Sequence, residues 1–67
     1  MQDFGDRLKE IRMESNLTQT ELSKKTGISQ AAIAKWESKD RTPSMDCLII
    51  LAKFFKVSTD YLLGLED

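Results

Sequence analysis

Histidine is absent from the 67 residues, and cysteine, proline and tryptophan each occur once. Without histidine, the chain lacks the side chain that most often moves protons or binds metals near neutral pH. The single thiol, Cys47, has no partner for an internal disulfide, and we expect a small, partly buried apolar residue there. The sequence has no cluster of metal ligands and no glycine-rich phosphate loop. Nothing therefore indicates an enzyme, a cofactor, a metal site or a small-molecule ligand.

Long apolar runs are also missing. The longest covers residues 47–52, whereas a transmembrane helix needs roughly 20 apolar residues. No signal-peptide pattern opens the chain. We therefore expect a cytoplasmic protein that does not enter a membrane.

A basic surplus, which is typical of nucleic-acid-binding domains, is absent from the chain as a whole, since the net charge is −1. The sum hides a gradient. Residues 18–41 contain more basic than acidic side chains, whereas both flanking segments contain more acidic ones. If the chain binds a polyanion, the middle segment is the expected contact region.

Five helix starts can be recognised, because Ser, Thr or Asp precedes each helical pattern and can accept hydrogen bonds from free amides of the first turn. The predicted N-caps are Asp3, Thr18, Ser29, Ser44 and Ser58. Glu21 stands three residues after Thr18 and completes a capping box. The pattern predicts an all-α fold, a compact five-helix bundle that forms one domain over residues 1–67.

The second and third helices are joined by a short turn that contains Gly27. Two helices joined in this way form a helix-turn-helix, here over about residues 18–38, and its second helix enters the DNA major groove. Leu22, Ile28 and Ile33 form the predicted inner face. The outer face of the third helix carries small or polar side chains, namely Ala31, Ala34, Lys35 and Ser38, with Gln30 at its amino end. Such a face can approach base edges closely.

Motifs along nearly the whole chain resemble one known family. They are LKEIRMESNLTQTELSKKTGISQAAIAKWE over residues 8–37, then Pro43, then LIILAKFFKVSTDYLLG over residues 48–64. The chain resembles the lambda-repressor-like regulators of bacteria and phages, also called the Cro/C1 or xenobiotic-response-element type. The resemblance implies five helices, with the second and third as the DNA reader.

The resemblance also implies roles for individual residues. Those implied to face base edges are Gln30, Ala31, Ala34 and Lys35. Those implied to lie near the DNA backbone, or to brace a base-facing residue, are Gln19, Ser29, Lys39 and Arg41. Gln19 would approach a phosphate and brace Gln30, whose carboxamide suits adenine.

A structural ion pair between Arg12 and Glu37 is implied in the same way. Two departures from the family pattern stand out, since Ser23 replaces a usual alanine and Lys39 a usual glycine. If the position of Lys39 still requires a positive φ, the lysine is strained there. Alternatively, the loop takes another path, which weakens the backbone-contact roles of Lys39 and Arg41.

Ile50 and Phe54 lie one turn apart on the predicted fourth helix, and the family tends to be polar at Ile50. Either the fifth helix buries them, or they form an exposed patch that Leu63 and Leu65 extend. An exposed apolar patch marks an association surface. Regulators of this type usually bind pseudo-palindromic sites as dimers, and we expect a homodimer here, above all on DNA.

The function expected is that of a sequence-specific regulator of transcription that binds double-stranded DNA, and we expect a repressor. A second hypothesis is a protein-interaction module on the same fold, such as an antitoxin-like partner. The two differ in what they require of the third helix, because a protein-only module has no need of aligned Gln19, Gln30 and Lys35.

Overall fold

The computed structural model describes residues 3–66 and contains five α-helices and no strand within that range. The helices are α1 (Phe4–Glu14), α2 (Gln19–Thr26), α3 (Gln30–Glu37), α4 (Met45–Phe55) and α5 (Thr59–Leu62). The predicted all-α fold and helix count are confirmed.

Side-chain caps begin every helix, as the sequence predicts. Asp3, Thr18, Ser29, Ser44 and Ser58 each accept a hydrogen bond from the backbone amide three residues on. These contacts satisfy amides that a helix leaves free at its start, each stabilising by about 1 kcal/mol.

Helix ends agree less closely with the pattern. α3 ends at Glu37, one residue before the expected end of the helix-turn-helix, and α5 contains only four residues. α4 stops at Phe55 because Lys56 adopts the left-handed conformation, with φ of 58°. The sequence gives no sign of this stop, since lysine is a good helix former.

The core lies where the helices meet. α1 packs against α3 and α5, α2 packs against α3 and α4, and α4 packs against α5. The fully buried side chains are Leu8, Leu22, Ile33, Leu51 and Leu62. Each helix supplies one of them, so the position of α3 depends on side chains from the whole bundle.

Trp36 is buried at the carboxyl end of α3, and its ring meets that of Phe4 edge-on, with centroids 5.9 Å apart. Trp36 therefore packs in the core, and its ring is not free to stack on bases. Gly5 stands beside it, and a Cβ added there would lie 2.3 Å from the carbonyl oxygen of Trp36. Glycine at this position therefore allows α1 to approach α3 closely.

Gly5→Ala is expected to lower the free energy of unfolding by about 1–3 kcal/mol, because the added methyl group forces α1 away from α3. In an open helix the same change stabilises by about 0.5–1 kcal/mol, so the sign tests the close approach. Urea unfolding followed by circular dichroism measures the difference. The control is Lys9→Ala, at an exposed position on α1, with an expected change within about 0.5 kcal/mol. A Gly5→Ala protein as stable as the parent would contradict the close approach.

Candidate nucleic-acid interface

The turn between α2 and α3 is fixed by its own residues. Gly27 ends α2 with φ of 78°, in the left-handed region. Thr26 Oγ1 accepts a hydrogen bond from the Ile28 amide at 3.3 Å, and Ser29 then caps α3.

At the start of α2, the Thr18 amide donates to Glu21 Oε1 at 2.9 Å and the Glu21 amide to Thr18 Oγ1 at 3.0 Å. This reciprocal bonding lowers the pKa of the Glu21 carboxyl, with the Thr18 amide as the main cause.

The first residues of α2 and α3 meet at the surface. Gln30 Nε2 donates a hydrogen bond to Gln19 Oε1 at 2.8 Å. Gln30 is exposed and Gln19 is half-buried. Gln19 therefore holds the side chain of Gln30 at the amino end of α3. The family resemblance implies the same arrangement.

The outer face of α3 carries the other side chains that were expected to face bases. Ala31 and Lys35 are exposed, and Ala34 is half-buried. Ser29, expected near the DNA backbone, is exposed at the amino end of the same helix, where its hydroxyl accepts the Ala32 amide. Exposure and helical spacing put these residues, with Gln30, on one surface, here called the α3 outer face.

Arg12 of α1 and Glu37 at the end of α3 form an ion pair. Arg12 Nε donates to Glu37 Oε2 at 2.7 Å, and Nη2 donates to Oε1 at 2.9 Å. The two side chains are only 11% and 5% exposed. Arg12 Nη1 also donates to the carbonyl oxygen of Leu17 at 2.7 Å. The hydrogen bonds to Glu37 raise the pKa of Arg12, against the opposing effect of its burial.

One contact that the sequence did not predict joins the Arg12–Glu37 ion pair to the exposed start of α3. Gln19 Nε2 donates to Glu37 Oε1 at 3.2 Å. The partners stand 18 residues apart on different helices, and no local pattern connects them. Because Gln19 also accepts from Gln30, it links the buried carboxylate to the exposed tip of α3.

Lys39 follows α3 with a positive φ of 70°. The first of the two alternatives considered for this position therefore holds, because a lysine occupies a conformation that favours glycine. Its ammonium group lies 3.1 Å from Asp6 Oδ2 and 3.5 Å from Asp3 Oδ2. The hydrogen bond to Asp6 is the main cause of a raised Lys39 pKa. Arg41, two residues further along the same loop, is exposed.

The four residues of the expected association patch differ in exposure. Ile50, Leu63 and Leu65 are 40%, 37% and 67% exposed. Phe54 is half-buried against the core, and its ring meets that of Phe55 edge-on at 4.9 Å. Each of the two alternatives therefore holds for one residue of the pair on α4. Ile50 is exposed, whereas Phe54 is largely covered.

One buried charged side chain was not predicted from the sequence. Arg7 is 8% exposed, and its Cζ lies 4.2 Å from the centre of the Tyr61 ring. Its Nε has no hydrogen-bond partner among the described residues. The ring face offers a cation–π contact, which attaches α1 to α5. The local sign of this burial is its helical spacing, since Arg7 stands three residues after Phe4 and four before Ile11.

Residues 3–66 contain no group of side chains arranged to hold a metal ion. None of the helices in this range has the length and apolar character required to cross a membrane.

The chain is similar to known regulators along most of its length. A family model described as helix-turn-helix matches residues 8–62. The transcriptional activator BcrR of Enterococcus faecalis is 40% identical over 65 residues, which cover 97% of this chain and 32% of BcrR. Repressor protein C2 of Salmonella phage P22 is 36% identical over 60 residues, which cover 90% of this chain and 28% of C2. The chain thus spans about a third of the length of each.

A solved structure supports the same relationship. The P22 c2 repressor in complex with a synthetic operator superposes with a TM-score of 0.89 and 33% sequence identity. The match covers 98% of this chain and all of that one. The helices of the two proteins therefore share one arrangement, including the pair equivalent to α2 and α3.

Proposed function

The chain belongs to the helix-turn-helix family of the Cro/C1 type, a family of DNA-binding transcription regulators rather than enzymes, and from this premise we propose that it reads a specific operator with α3. The observation that carries the proposal is the α3 outer face, with Gln30 held at its tip by Gln19. The likeness to a repressor that was crystallised with a synthetic operator supports it. As a regulator of transcription, the protein would act in the cytoplasm, where bacterial and phage DNA lies.

In this proposal α3 lies in the major groove and the amino end of α2 lies at the DNA backbone. Gln30 hydrogen-bonds a base, Ala31 and Ala34 allow close approach and contact thymine methyl groups, and Lys35 reaches a base edge or phosphate. Gln19 and Ser29 lie beside phosphates, where helix-start amides favour negative charge.

Lys39 and Arg41 have unequal roles as backbone contacts. Lys39 would have to exchange Asp6 and Asp3 for a phosphate, so its net contribution is small. Arg41 has no ion-pair partner among the described residues and is the stronger contact of the two. Since the net charge is −1, few phosphates are neutralised, so non-specific binding is weak and its dependence on salt is shallow.

We propose that the protein acts as a homodimer on a pseudo-palindromic operator and represses transcription by obstructing polymerase. The exposed apolar side chains of Ile50, Leu63 and Leu65 support a self-association surface, with α4 and α5 packed together beneath it. The antitoxin-like alternative explains this patch equally well, but it gives no reason for the contact between Gln19 and Gln30.

Selection of bound sites from a random duplex pool tests the proposal. The expected result is an inverted repeat whose half-sites are centred about 34 Å apart, bound by two chains. Sedimentation with the selected duplex measures the stoichiometry. An unenriched pool would refute sequence-specific binding, and one chain per single half-site would refute the dimer alone.

Gln30→Ala is expected to weaken binding to the selected site by about 1–3 kcal/mol and to relax base preference at one position of each half-site. Fluorescence anisotropy against duplexes that differ at single positions measures both effects. The control is Lys24→Ala, at an exposed position on α2, which should leave every base preference unchanged. If Gln30→Ala weakens all duplexes equally, Gln30 contacts the backbone and not a base.

A further inference from the structure

Three side chains form a continuous chain of hydrogen bonds from the interior to the tip of α3, here called the amide relay. Glu37 Oε1 accepts from Gln19 Nε2 at 3.2 Å, and Gln19 Oε1 accepts from Gln30 Nε2 at 2.8 Å. The Glu37 side chain is 5% exposed, whereas Gln30 is exposed. Glu37 ends α3 and Gln30 begins it, so Gln19 of α2 bridges the two ends of the proposed reading helix.

The buried end of the amide relay determines the direction of every bond in it. Arg12 holds both carboxylate oxygens of Glu37, at 2.7 and 2.9 Å, and a carboxylate paired in this way only accepts hydrogen bonds. Gln19 must therefore turn its NH₂ group toward Glu37, which leaves its oxygen facing Gln30. That oxygen can only accept a hydrogen bond, so Gln30 must turn its own NH₂ group toward Gln19.

The outward edge of Gln30 is then defined. One N–H is used inside, so the side chain presents its oxygen and its second N–H to the groove. An acceptor beside a donor complements adenine, which offers N6–H₂ and N7. With the carboxamide reversed, both N–H groups would face outward and would complement the guanine acceptors O6 and N7.

We propose that Glu37 is a positioning residue for base selection, acting through Gln19 to fix the carboxamide of Gln30 in the orientation that prefers adenine over guanine. The proposal rests on the proposed function, and it adds to the ion-pair role of Glu37 a role in specificity. Glu37 itself touches no base.

Glu37→Gln is the direct test, because it keeps the shape of the side chain but adds a donor at the buried end of the amide relay. Gln19 can then bond in either orientation, and so can Gln30. The measurement is the ratio of dissociation constants for two duplexes, one with adenine and one with guanine at the position identified by Gln30→Ala. We expect this ratio to fall about tenfold, within the range of a single bidentate contact.

Gln19→Met provides a second variant that interrupts the amide relay and leaves the Arg12–Glu37 ion pair in place. It should reduce the adenine–guanine ratio to a similar extent, and it keeps the test available if Glu37→Gln does not fold. Leu62→Val is the matched control for lost stability, since Leu62 is buried on α5 and takes no part in the two bonds of the amide relay. Its ratio should equal that of the parent. A loss of discrimination in Leu62→Val as large as in the other two would overturn the proposal, because stability alone would then explain it.

Nuclear magnetic resonance of the DNA-free protein tests the amide relay separately from DNA binding. The Gln30 side-chain NH₂ group should be ordered in the parent and should gain nanosecond motion in both Glu37→Gln and Gln19→Met. Unchanged order in both variants overturns the amide relay, whatever the DNA results.

If order is lost but Gln30→Ala leaves every base preference unchanged, the amide relay exists and base reading by Gln30 is wrong. If Gln30→Ala relaxes preference while both relay variants keep the full ratio, the proposed function stands and this inference fails.

Discussion

Replacing Glu37 with alanine is expected to lower the free energy of unfolding by about 3–5 kcal/mol. The change leaves Arg12, whose side chain is 11% exposed, without the carboxylate that accepts two of its hydrogen bonds. An unpaired buried charge costs more than the pair contributes when intact, because its lost hydration is no longer offset. Gln19 also loses the acceptor for its NH₂ group.

Thermal and urea unfolding measure this effect. In a domain of this size 1 kcal/mol corresponds to roughly 4–8 °C, so the melting temperature should fall by more than about 10 °C. Glu14→Ala is the matched control, since this glutamate is exposed in the last turn of α1, where a negative charge is slightly unfavourable. The control should melt within a few degrees of the parent. An unchanged melting temperature for Glu37→Ala would show that the ion pair is dispensable.

Ile33→Ala is expected to destabilise the protein by about 2–5 kcal/mol. Ile33 is fully buried, so truncation removes apolar contacts and leaves a cavity that the surrounding helices fill only in part. Alanine has the higher helix propensity, but the gain of a few tenths of a kcal/mol is too small to compensate. Since Ile33 anchors α3 in the core, the same change should loosen the candidate interface.

Ile49→Ala supplies the same chemical change at a half-exposed site. Ile49 is 39% exposed on α4, and its truncation should cost less than half as much. Urea unfolding gives both free energies, and amide hydrogen exchange in α3 tests the loosening. Equal losses for the two isoleucines would contradict the burial that distinguishes them.

The helices were predictable because their signals are local. Asp3, Thr18, Ser29, Ser44 and Ser58 cap the five helices as expected. A cap interacts with amides two or three residues away, so the sequence contains the whole interaction. Gly27 belongs to the same class, since a positive φ at a helix end is a local requirement.

The candidate site was predictable in part. Helical geometry alone assigns Ala31 and Lys35 to one face of α3. The contact between Gln19 and Gln30 was expected only from the family resemblance. It forms where two helices cross, and no local pattern in the sequence predicts it. The contact of Gln19 with Glu37 was missed, since it depends on side-chain orientation across that crossing.

The sequence by itself determined the number of helices, where each begins and which face of each is apolar, because these depend on residues within one or two turns of each other. Only the tertiary structure decided that Gly5 admits the carbonyl group of Trp36, that Arg7 is buried beneath Tyr61 and that Glu37 reaches Gln19. These contacts join different helices, and their geometry exists only after the whole core has packed and fixed the distances between them.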